Sequence, residues 1–540
     1  MKNICIYAKK TLPLRAKKYV TIMIKHYLEV LSDAIRSNWN EIALADYRSL
    51  TRYTYGDMAD QMANLADIYK QLKIKKGTHI AICGNNCANW AVAYLANAVY
   101  GAVNVCVMPD FQAEDIARII NHSDAEVLIA SQQVITKLTN AQSQLPNIKY
   151  QIALETLLPI NATVKEPEIH LTADDINYVG KSLDDLVMIC YTSGSTGTPK
   201  GVMLTFRSLS NNVKNCIECL PEHNGQNVLS MLPMAHMYGL VCELLAQLPA
   251  GCHIWFLGQM PTPAVLKKAL AEIRPYTIVT IPLVIEKLVK KNIFPILKKK
   301  RFNMLWHTPL INRMLKKMVC KTLNMGLGGN VRQFHVGGAA LNEEVEKLLM
   351  DIRFPLTVGY GLTETGPLVS GNLWQNFKAR SGGKLVSGME AKIVDEEIWV
   401  RGENVMKGYY NEPELTAQVL TPDGWFRTGD VGQVEEDGTI YVQGHKSNLI
   451  VQADGNKVYP ETIEAILNDM EGVDESLVTV WNNQLVAVVV TQMDLSVENM
   501  RTKLNEMLPS YSRIAKIETQ SDPLARTPKH SIKRYLYKKD

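Results

Sequence analysis

The chain has 540 residues and a mass of 60.5 kDa. That length exceeds what one hydrophobic core normally holds, so we expect two or more structural units. Hydrophobic residues make up 46% of the chain and charged residues 21%, a globular composition that excludes a low-complexity or collagen-like protein. The ten cysteines lie between Cys5 and Cys320 without the spacing of a disulfide framework, which predicts a reducing compartment and a cytoplasmic location.

The net charge of +4 is distributed unevenly along the chain. Residues 1–28 carry seven Lys and Arg side chains and no acid, and residues 287–323 carry eleven and no acid. An acidic body with two basic segments is not the pattern of a general nucleic-acid binder, which needs a basic domain with a recognisable reading module. We interpret residues 1–28 as a basic surface arm, because their apolar stretches are too short for a secretory leader.

An uncharged run from Trp90 to Pro109 is long enough that a membrane span must be considered. Polar residues and Gly101 interrupt this run. It divides better into a buried helix at Trp90–Val99, a break at Gly101 and a Val-rich strand at Val103–Met108.

Up to about residue 375, short Val- and Ile-rich runs alternate with helical patterns, which is typical of parallel sheets built from β-α-β units. Such pairs of strand and helix are His79–Cys83 with Ala88–Val99, Glu126–Ala130 with Gln132–Leu138, and Thr277–Ile281 with Pro282–Lys290.

After residue 382 the pattern changes. Between Gly382 and Gln443, short strands are separated by turn pairs such as Asp437-Gly438, which predicts an antiparallel subdomain. A new unit begins near Gly444 and has the pattern of a small α+β domain. Its predicted helices and strands are Pro460–Asp469, Ser476–Trp481, Gln484–Thr491 and Val497–Leu508.

The strongest local signal is a strand at Leu186–Tyr191 that runs into a loop at 192–201 rich in hydroxyls and glycines. Glycines permit positive φ and close approach of the backbone, so amides and hydroxyls in this loop can converge on phosphate oxygens, and Lys200 adds positive charge. The spacing is not G-x-x-x-x-G-K-[ST], which disfavours an ordinary P-loop NTPase. A flexible Ser/Gly linker is the alternative, although linkers seldom follow a Val/Ile strand. The candidate phosphate-binding residues are Thr192, Ser193, Gly194, Ser195, Thr196, Gly197, Thr198 and Lys200.

Four segments stand in the order found in the adenylate-forming (AMP-binding) superfamily, namely 191–201, 359–366, 424–430 and 444–451. The chain resembles that superfamily over roughly residues 30–536. Three further segments look most like the long-chain acyl-CoA synthetase branch: Leu232–His236, Val336–Leu341 and the basic insertion between them.

The resemblance implies an α/β fold with a large N-terminal domain (29–443, with its antiparallel part at about 382–443), a hinge at 444–447 and a small mobile α+β domain at 448–540. It also implies a two-step reaction. A carboxylate, for which a medium- to long-chain fatty acid is favoured, attacks the α-phosphate of ATP and gives acyl-AMP and pyrophosphate. A thiol, usually that of CoA, then displaces AMP, and Mg2+ assists. Two alternatives stay open: a ligase that loads an acyl carrier protein, and a homologue that binds fatty acyl groups or nucleotides without catalysis.

The resemblance also assigns roles to residues of this sequence. Thr192 and Glu364 match the magnesium positions, and the pair suits a hard cation that prefers oxygen ligands. Asp430 matches the acid that accepts hydrogen bonds from both ribose hydroxyls, and His236 matches a histidine near the reacting carboxylate. For Glu364, Asp430 and His236 a purely structural role is the alternative. The positions around the adenine and the α-phosphate are Gly338, Ala339, Tyr360, Gly361 and Thr363.

Two positions depart from the family pattern. His445 stands where the family generally has an Arg that binds ribose or phosphate, and a neutral His would bind these groups less strongly. The C-terminal motif usually carries a catalytic Lys, but the strict register places Ser531 there. Lys529 and Lys533 lie two residues to either side, and we prefer Lys529 as the replacement.

The basic segment 287–323 combines its cations with apolar residues such as Met304, Trp306 and Met314. This composition is suited to lying on an anionic membrane surface, so we expect peripheral membrane contact. The alternatives are a solvated helix pair with buried apolar faces and a surface that attracts the phosphates of CoA.

Overall fold

The computed structural model describes residues 25–193, 199–219, 224–259, 261–309, 311–452, 457–482, 484–526 and 532–539. The predicted α/β fold class is confirmed, because helices pack on two large, mostly parallel sheets and separate small antiparallel sheets follow them. Most of the predicted basic arm, residues 1–24, lies outside the described residues. The described part begins at Lys25, and the first helix already starts at Tyr27, which is 1% exposed and so belongs to the core and not to a surface arm.

The elements up to residue 193 are α1 (Tyr27–Ser37), β1 (Ile42–Asp46), β2 (Arg52–Thr54), α2 (Tyr55–Gln71), β3 (His79–Cys83), α3 (Ala88–Tyr100), β4 (Val103–Val107), α4 (Ala113–His122), β5 (Val127–Ala130), α5 (Gln132–Asn140), β6 (Tyr150–Ala153) and β7 (Leu186–Ser193).

The elements from 199 to 371 are β8 (Pro199–Thr205), α6 (Phe206–Glu218), β9 (Asn227–Ser230), α7 (Met237–Gly239), β10 (His253–Phe256), α8 (Pro263–Ile273), β11 (Thr277–Thr280), α9 (Pro282–Asn292), α10 (Phe294–Leu297), α11 (Lys300–Trp306), α12 (Ile311–Gly326), β12 (Gln333–Val336), α13 (Glu343–Asp351), β13 (Leu356–Val358), β14 (Tyr360–Gly361) and β15 (Leu368–Gly371).

The remaining elements are β16 (Lys384–Leu385), β17 (Met389–Val394), β18 (Glu397–Gly402), β19 (Gly408–Tyr409), α14 (Pro413–Val419), β20 (Phe426–Val434), β21 (Ile440–His445), β22 (Ile450–Val451), β23 (Lys457–Val458), α15 (Pro460–Asn468), β24 (Glu475–Trp481), β25 (Gln484–Val490), α16 (Val497–Met507) and β26 (Lys516–Gln520).

One seven-stranded sheet has the order β19-β8-β7-β4-β3-β5-β6 and carries the phosphate-loop segment at β7 and β8. Strands β7 to β6 run parallel, whereas β8 is antiparallel to β7. Every residue of β4 is buried, as expected for a strand covered by helices on both faces. The predicted helix, break and strand at 90–108 are confirmed, since α3 ends at Gly101 with φ of 91° and β4 follows directly.

The second seven-stranded sheet has the order β13-β12-β11-β9-β10-β1-β2 and is parallel except for its β1–β2 edge. Helices α8 to α13, which include the basic segment 287–323, pack against this sheet. Their shared core includes Ile285, Val289 and Phe334. Because the carboxyl ends of parallel strands meet at one edge, the loops after β9, β11 and β12 converge on the same side of the molecule.

The antiparallel pattern predicted after residue 382 is confirmed in the sheet β17-β18-β20-β21. Strand β19 departs from that prediction, since it leaves the local sheet and pairs with β8 of the parallel sheet. This departure places Tyr409 beside the phosphate-loop segment.

Residues 457–520 form a small α+β unit around the sheet β24-β25-β26, with its own core of residues such as Leu467, Val489 and Leu504. Lys457 binds Glu396 at 2.6 Å, and Lys290 Nζ donates to the carbonyl oxygen of Asn468 at 3.0 Å. These contacts hold the unit against the preceding sheets. Within the described part of the chain, each helix is too short or too polar to cross a membrane.

Candidate active site

The phosphate-loop segment is a hairpin with a shorter loop than the sequence predicts. Strand β7 continues through Ser193 and β8 already begins at Pro199, so that Thr192 pairs with Lys200 across the hairpin. The expectation that the loop spans 192–201 is therefore wrong at both ends, because ladder hydrogen bonds extend the two strands into it. The predicted residues Gly194, Ser195, Thr196, Gly197 and Thr198 lie outside the described residues.

Lys200 and Glu364 are connected through Tyr409. The ammonium of Lys200 lies 5.5 Å from the centre of the Tyr409 ring, within the range of a cation–π contact. The Tyr409 hydroxyl donates a hydrogen bond to Glu364 Oε1 at 3.0 Å. Burial, with the nearby Glu364 carboxylate, raises the pKa of Tyr409, so this phenol stays protonated and donates. The three side chains come from three separate strands or turns and face one corner of the site.

Glu364 stands on a single 3-10 turn, Thr363–Thr365, that follows β14. The N–H of Met406 donates to the Glu364 carbonyl oxygen at 2.8 Å and ties this turn to the loop before β19. Position 361 needs glycine, since a Cβ there would lie 1.7 Å from the carbonyl oxygen of Pro367. The backbone around the candidate magnesium carboxylate is therefore held tightly.

Tyr360, Asp430 and His445 form a chain of polar contacts. The Tyr360 hydroxyl donates to Asp430 Oδ2 at 2.6 Å, and His445 Nδ1 forms an ion pair with Asp430 Oδ1. The hydrogen bond to Asp430 raises the pKa of His445, so its imidazolium form persists above the usual range. Asp430 is 2% exposed and sits directly opposite His445 in the β20–β21 ladder. A buried carboxylate with two partners on fixed strands is preorganised to accept ligand hydroxyls.

Gly338 and Ala339 follow β12 and line the same cleft as Tyr360. Gly338 has φ of 85°, and a Cβ there would meet no atom within 4 Å, so this backbone faces open space. At the neighbouring Gly337 a Cβ would lie 2.9 Å from the ring of Tyr238. Small residues at 337–339 thus let a flat ring approach the backbone on one side while Tyr238 packs on the other.

His236 begins the short helix α7 on the wall of the cleft, after the loop that follows β9. That loop is held by Glu243, which is fully buried in a π-helical turn at Leu240–Leu245. The Glu243 carboxylate accepts from Ser230 Oγ at 2.8 Å and from the N–H of Leu232 at 3.2 Å. Asn86 adds two bonds, donating to the carbonyl oxygen of Leu232 at 2.6 Å and accepting from the N–H of Met234 at 2.9 Å. Burial raises the pKa of Glu243 to about 8.

Residues from these loops and strands line one cleft of about 4170 Å3. A site for one small ligand occupies roughly 300–1,000 Å3, so this cleft has room for a nucleotide, an acid and part of a thiol substrate together. We name the lining residues before residue 444 the first wall and those from 445 onward the second wall. On the first wall lie Thr192, His236, Gly338, Ala339, Tyr360, Gly361, Thr363 and Glu364; on the second lie His445, Ser447, Arg526, Lys533 and Arg534.

Of the two candidates for the C-terminal lysine, Lys529 and Lys533, the structure describes Lys533. Lys529 and Ser531 lie outside the described residues, whereas Lys533 lines the cleft. The Lys533 N–H donates to the carbonyl oxygen of Ala525 at 2.8 Å, which fixes its backbone against the preceding segment. Arg534 binds both carboxylate oxygens of Glu464 in α15 and holds the following turn.

The donor set fits a magnesium ion that arrives with phosphates. Glu364 and Thr192 place a carboxylate and a hydroxyl on the first wall, and among the described residues no group of three or more His, Cys, Asp or Glu is arranged to hold a metal alone. Mg2+ is commonly bound by one or two protein oxygens together with substrate phosphates and water. Glu364 and Thr192 are therefore the residues that would hold the ion.

Sequence reasoning missed three residues of the site: Tyr409, Glu243 and Asn86. Glu243 had a usable signal, since a single acid inside the apolar run 240–245 must be buried with partners. Tyr409 and Asn86 had none, because their partners lie 45 and more than 140 residues away in sequence.

Residues 31–410 match the family model described as AMP-binding enzyme. The chain is 27% identical to 4-coumarate–CoA ligase 1 of Arabidopsis thaliana, covering 88% of this chain and 85% of that protein. It is 28% identical to the chloroplastic long-chain-fatty-acid–[acyl-carrier-protein] ligase AEE15 of the same plant, covering 76% and 68%. Among solved structures, the o-succinylbenzoate CoA synthetase MenE of Bacillus subtilis, in complex with its acyl-adenylate intermediate, superposes with a TM-score of 0.76 at 21% identity, covering 94% and 97%. By their names these proteins act on different acids, so the likeness reaches the superfamily and not the long-chain branch.

Proposed function

Because the chain belongs to the AMP-binding enzyme family, we propose that it is an ATP-dependent acid–thiol ligase. It joins a carboxylic acid to AMP with release of pyrophosphate and then transfers the acyl group to the thiol of CoA. The observation that carries this proposal is the meeting of Thr192, Glu364 and Tyr360 with its partner Asp430 around one cleft, although they span more than 230 residues of sequence.

In the first step, negative charge builds on phosphate oxygens as the carboxylate attacks. Lys200 is held on β8 by the β7–β8 ladder and supplies positive charge that is in place before the reaction. The Tyr409 hydroxyl holds the Glu364 carboxylate in place, and this carboxylate with Thr192 positions the ion. Bound Mg2+ would supply Lewis-acid stabilisation of the phosphate charge.

The same site orients the nucleotide and the acid. Asp430 accepts hydrogen bonds from the ribose hydroxyls, and Tyr360 holds one of its oxygens. The adenine lies against the small residues Gly338 and Ala339. His236 stands beside the reacting carboxylate, positioned by the loop that Glu243 and Asn86 hold.

For the second step, residues 448–540 act as a domain that turns about residues 444–447 and exchanges the adenylation face for the thiol-transfer face. Replacing Ser447 by proline restricts the backbone torsions that this motion needs. We expect Ser447→Pro to slow thioester formation more than adenylation. Equal losses in both steps would remove the support for a hinge.

The acid is a medium- to long-chain fatty acid. Support comes from the apolar part of the cleft wall, which suits a hydrocarbon tail. The relative AEE15, named as a long-chain fatty-acid ligase, points the same way. The apolar lining includes Leu266, Leu270, Ile278, Val284, Leu288, Ile293, Leu323, Leu327 and Phe334.

The acceptor is CoA, as in the name of 4-coumarate–CoA ligase, and an acyl carrier protein is the second candidate because AEE15 is named for that acceptor. A homologue that binds without catalysis is the third, favoured only by Ser531 at the expected lysine position. We place the reaction in the cytoplasm, with peripheral contact to an anionic membrane; support for the cytoplasm comes from cysteines that lack the spacing of a disulfide framework.

The experiment uses the purified full chain with ATP, Mg2+ and fatty acids of increasing length. Either CoA or a holo acyl carrier protein is added, and AMP and the thioester are measured by mass spectrometry. The proposal predicts AMP and acyl-CoA in equal amounts with medium- to long-chain acids. Thioester on the carrier protein alone would select the second candidate, and no AMP with any acid or acceptor would refute the ligase proposal.

A further inference from the structure

Helix α12 carries a row of exposed apolar side chains on its outer side. Its inner side buries Leu315, Val319 and Leu323 against the core, as a solvated helix pair would. The outer side exposes Met314 at 70%, Met318 at 50% and Met325 at 63%. At 3.6 residues per turn, these methionines and the exposed Ile311 fall on one narrow stripe of the helix. Scattered single apolar residues need no explanation, but a contiguous stripe marks an interaction surface.

Cations border the methionine stripe. Arg313, Lys317 and Lys321 are exposed on the adjoining side of α12, and Lys298 and Lys299 are exposed before α11. In the described structure, this segment's ion pairs with carboxylates are those of Lys290 with Asp469 and Lys316 with Asp351. The outward cations therefore face solvent. Residues 287–323 contain no acid, so all the charges that this segment itself contributes to the surface are positive.

The stripe lies beside the mouth of the cleft. Thr322 lines the cleft and lies four residues after Met318 and three before Met325, so it neighbours both methionines on the helix surface. On α9, Leu283 is 51% exposed and lines the same cleft together with Lys287. The helices that carry the basic, methionine-rich outer surface thus also form the rim of the acid pocket.

We propose that the methionine stripe of α12 and its flanking cations dock on an anionic lipid bilayer surface. The methionines enter the interface between headgroups and acyl chains, while the lysines and arginine contact the headgroup anions. An acidic protein would be attracted by the same cations. Protruding, unbranched side chains in a row, however, need hydrocarbon around them, and a bilayer supplies it without a complementary pocket.

Docking in this orientation turns the rim at α9 and α12 toward the bilayer. A fatty acid dissolved in the lipid then reaches the cleft without crossing bulk water. This second half of the proposal rests on the proposed ligase function, whereas the docking surface itself does not.

Co-sedimentation of the full chain with vesicles tests the docking surface. The vesicles contain either phosphatidylcholine alone or phosphatidylcholine with phosphatidylserine, at low and high salt. The variants are Met314→Gln with Met318→Gln, and Lys317→Glu with Lys321→Glu. Matched controls are Met493→Gln with Met507→Gln, which are similarly exposed, and Lys70→Glu with Lys75→Glu.

We expect binding to the anionic vesicles, loss of that binding at high salt, and a decrease of roughly tenfold or more in each α12 variant but not in the controls. No binding to anionic vesicles at low salt would overturn the proposal, as would an equal loss in the controls. The same surface could instead bind an acidic carrier protein and not vesicles. That result would make a protein the partner and would also overturn the proposal.

The two proposals fail in different ways. ATP–pyrophosphate exchange with a water-soluble medium-chain fatty acid does not need a membrane, so the α12 variants should match the wild type in that assay. Vesicle binding without exchange would refute the ligase and keep the docking surface. Exchange without vesicle binding would refute the docking surface alone.

Discussion

In and directly behind the first wall of the cleft, the candidate residues contact one another, whereas toward the C-terminus the sequence departs from the family pattern at two positions. Tyr409 links Lys200 to Glu364, and Tyr360 holds Asp430. His445, on the second wall, occupies an arginine position, and Ser531, which lies outside the described residues, occupies a lysine position. In the proposed mechanism the first wall orients the nucleotide and the ion, whereas the C-terminal cations of the family pattern are partly exchanged. We therefore expect substitutions on the first wall to have the larger effects.

The largest effect should come from two charged residues, Glu364 on the first wall and Lys200 behind it, which Tyr409 connects. Lys200→Ala and Glu364→Ala should each lower pyrophosphate release by roughly a hundredfold or more, because fixed charge stabilisation of the transition state is lost. Release is measured with saturating fatty acid and with Mg2+ titrated. The exposed Glu436→Ala serves as control and should behave as the wild type. Rates close to wild type in both variants, with unchanged Mg2+ dependence, would contradict the assignment.

We expect Glu243, which lies behind the first wall, to act as a positioning residue. Glu243→Gln replaces one acceptor oxygen by an amide NH2, so the Ser230 hydroxyl and the N–H groups of Met231 and Leu232 can no longer all donate to this side chain, and the loop before His236 loses part of its anchor. An unsatisfied buried donor costs on the order of 2 kcal/mol, and we expect the KM for the acid to rise about thirtyfold.

The control for this effect is Glu346→Gln on α13. Glu346 is also buried and accepts from the N–H of Arg380, so its loss should lower the melting temperature without changing the KM for the acid. If Glu243→Gln changes only the melting temperature, its role is structural.

The effect of a C-terminal lysine should be smaller. Lys529→Ala should reduce adenylation about tenfold while leaving thiol transfer from supplied acyl-AMP nearly intact, since an ammonium off the family register stabilises the charge less well. Lys533→Ala should do less, and Ser531→Lys should accelerate adenylation. No change in any of the three would favour the non-catalytic alternative.

The smallest effect concerns His445. Its hydrogen bond to Asp430 raises its pKa, so the charged form is complete at low pH and is lost as the pH rises through that raised pKa. The KM for ATP should then increase a few-fold from about pH 6 to pH 9. His445→Arg stays charged throughout and should give a lower, flat profile. A wild-type KM that does not vary with pH would contradict the charged-histidine role.

The local sequence pattern was sufficient to predict most helices and strands and the order of the motifs. The helix at 88–100 and the strand at 103–107 follow from apolar runs bounded by Gly101, and the four helices and strands predicted for the α+β unit lie within one residue of their predicted bounds. Contacts between distant segments were not predictable from such patterns. Strand β19 leaves its local sheet to pair with β8, and only that pairing brings Tyr409 to Glu364. Likewise, strands β7 and β8 extend further into the predicted phosphate loop than its composition indicates, because the extent of a strand depends on the strand with which it pairs.

The reaction proposed for the first wall is adenylation of a fatty acid. It is tested most directly by ATP–pyrophosphate exchange without thiol, across fatty acids of increasing chain length and with 4-coumarate as comparison acid. We predict exchange that requires both Mg2+ and acid, that increases toward medium and long chains, and that is absent in Glu364→Ala. No exchange with any acid would contradict the claim of adenylation, and exchange with 4-coumarate but not with fatty acids would contradict the choice of acid.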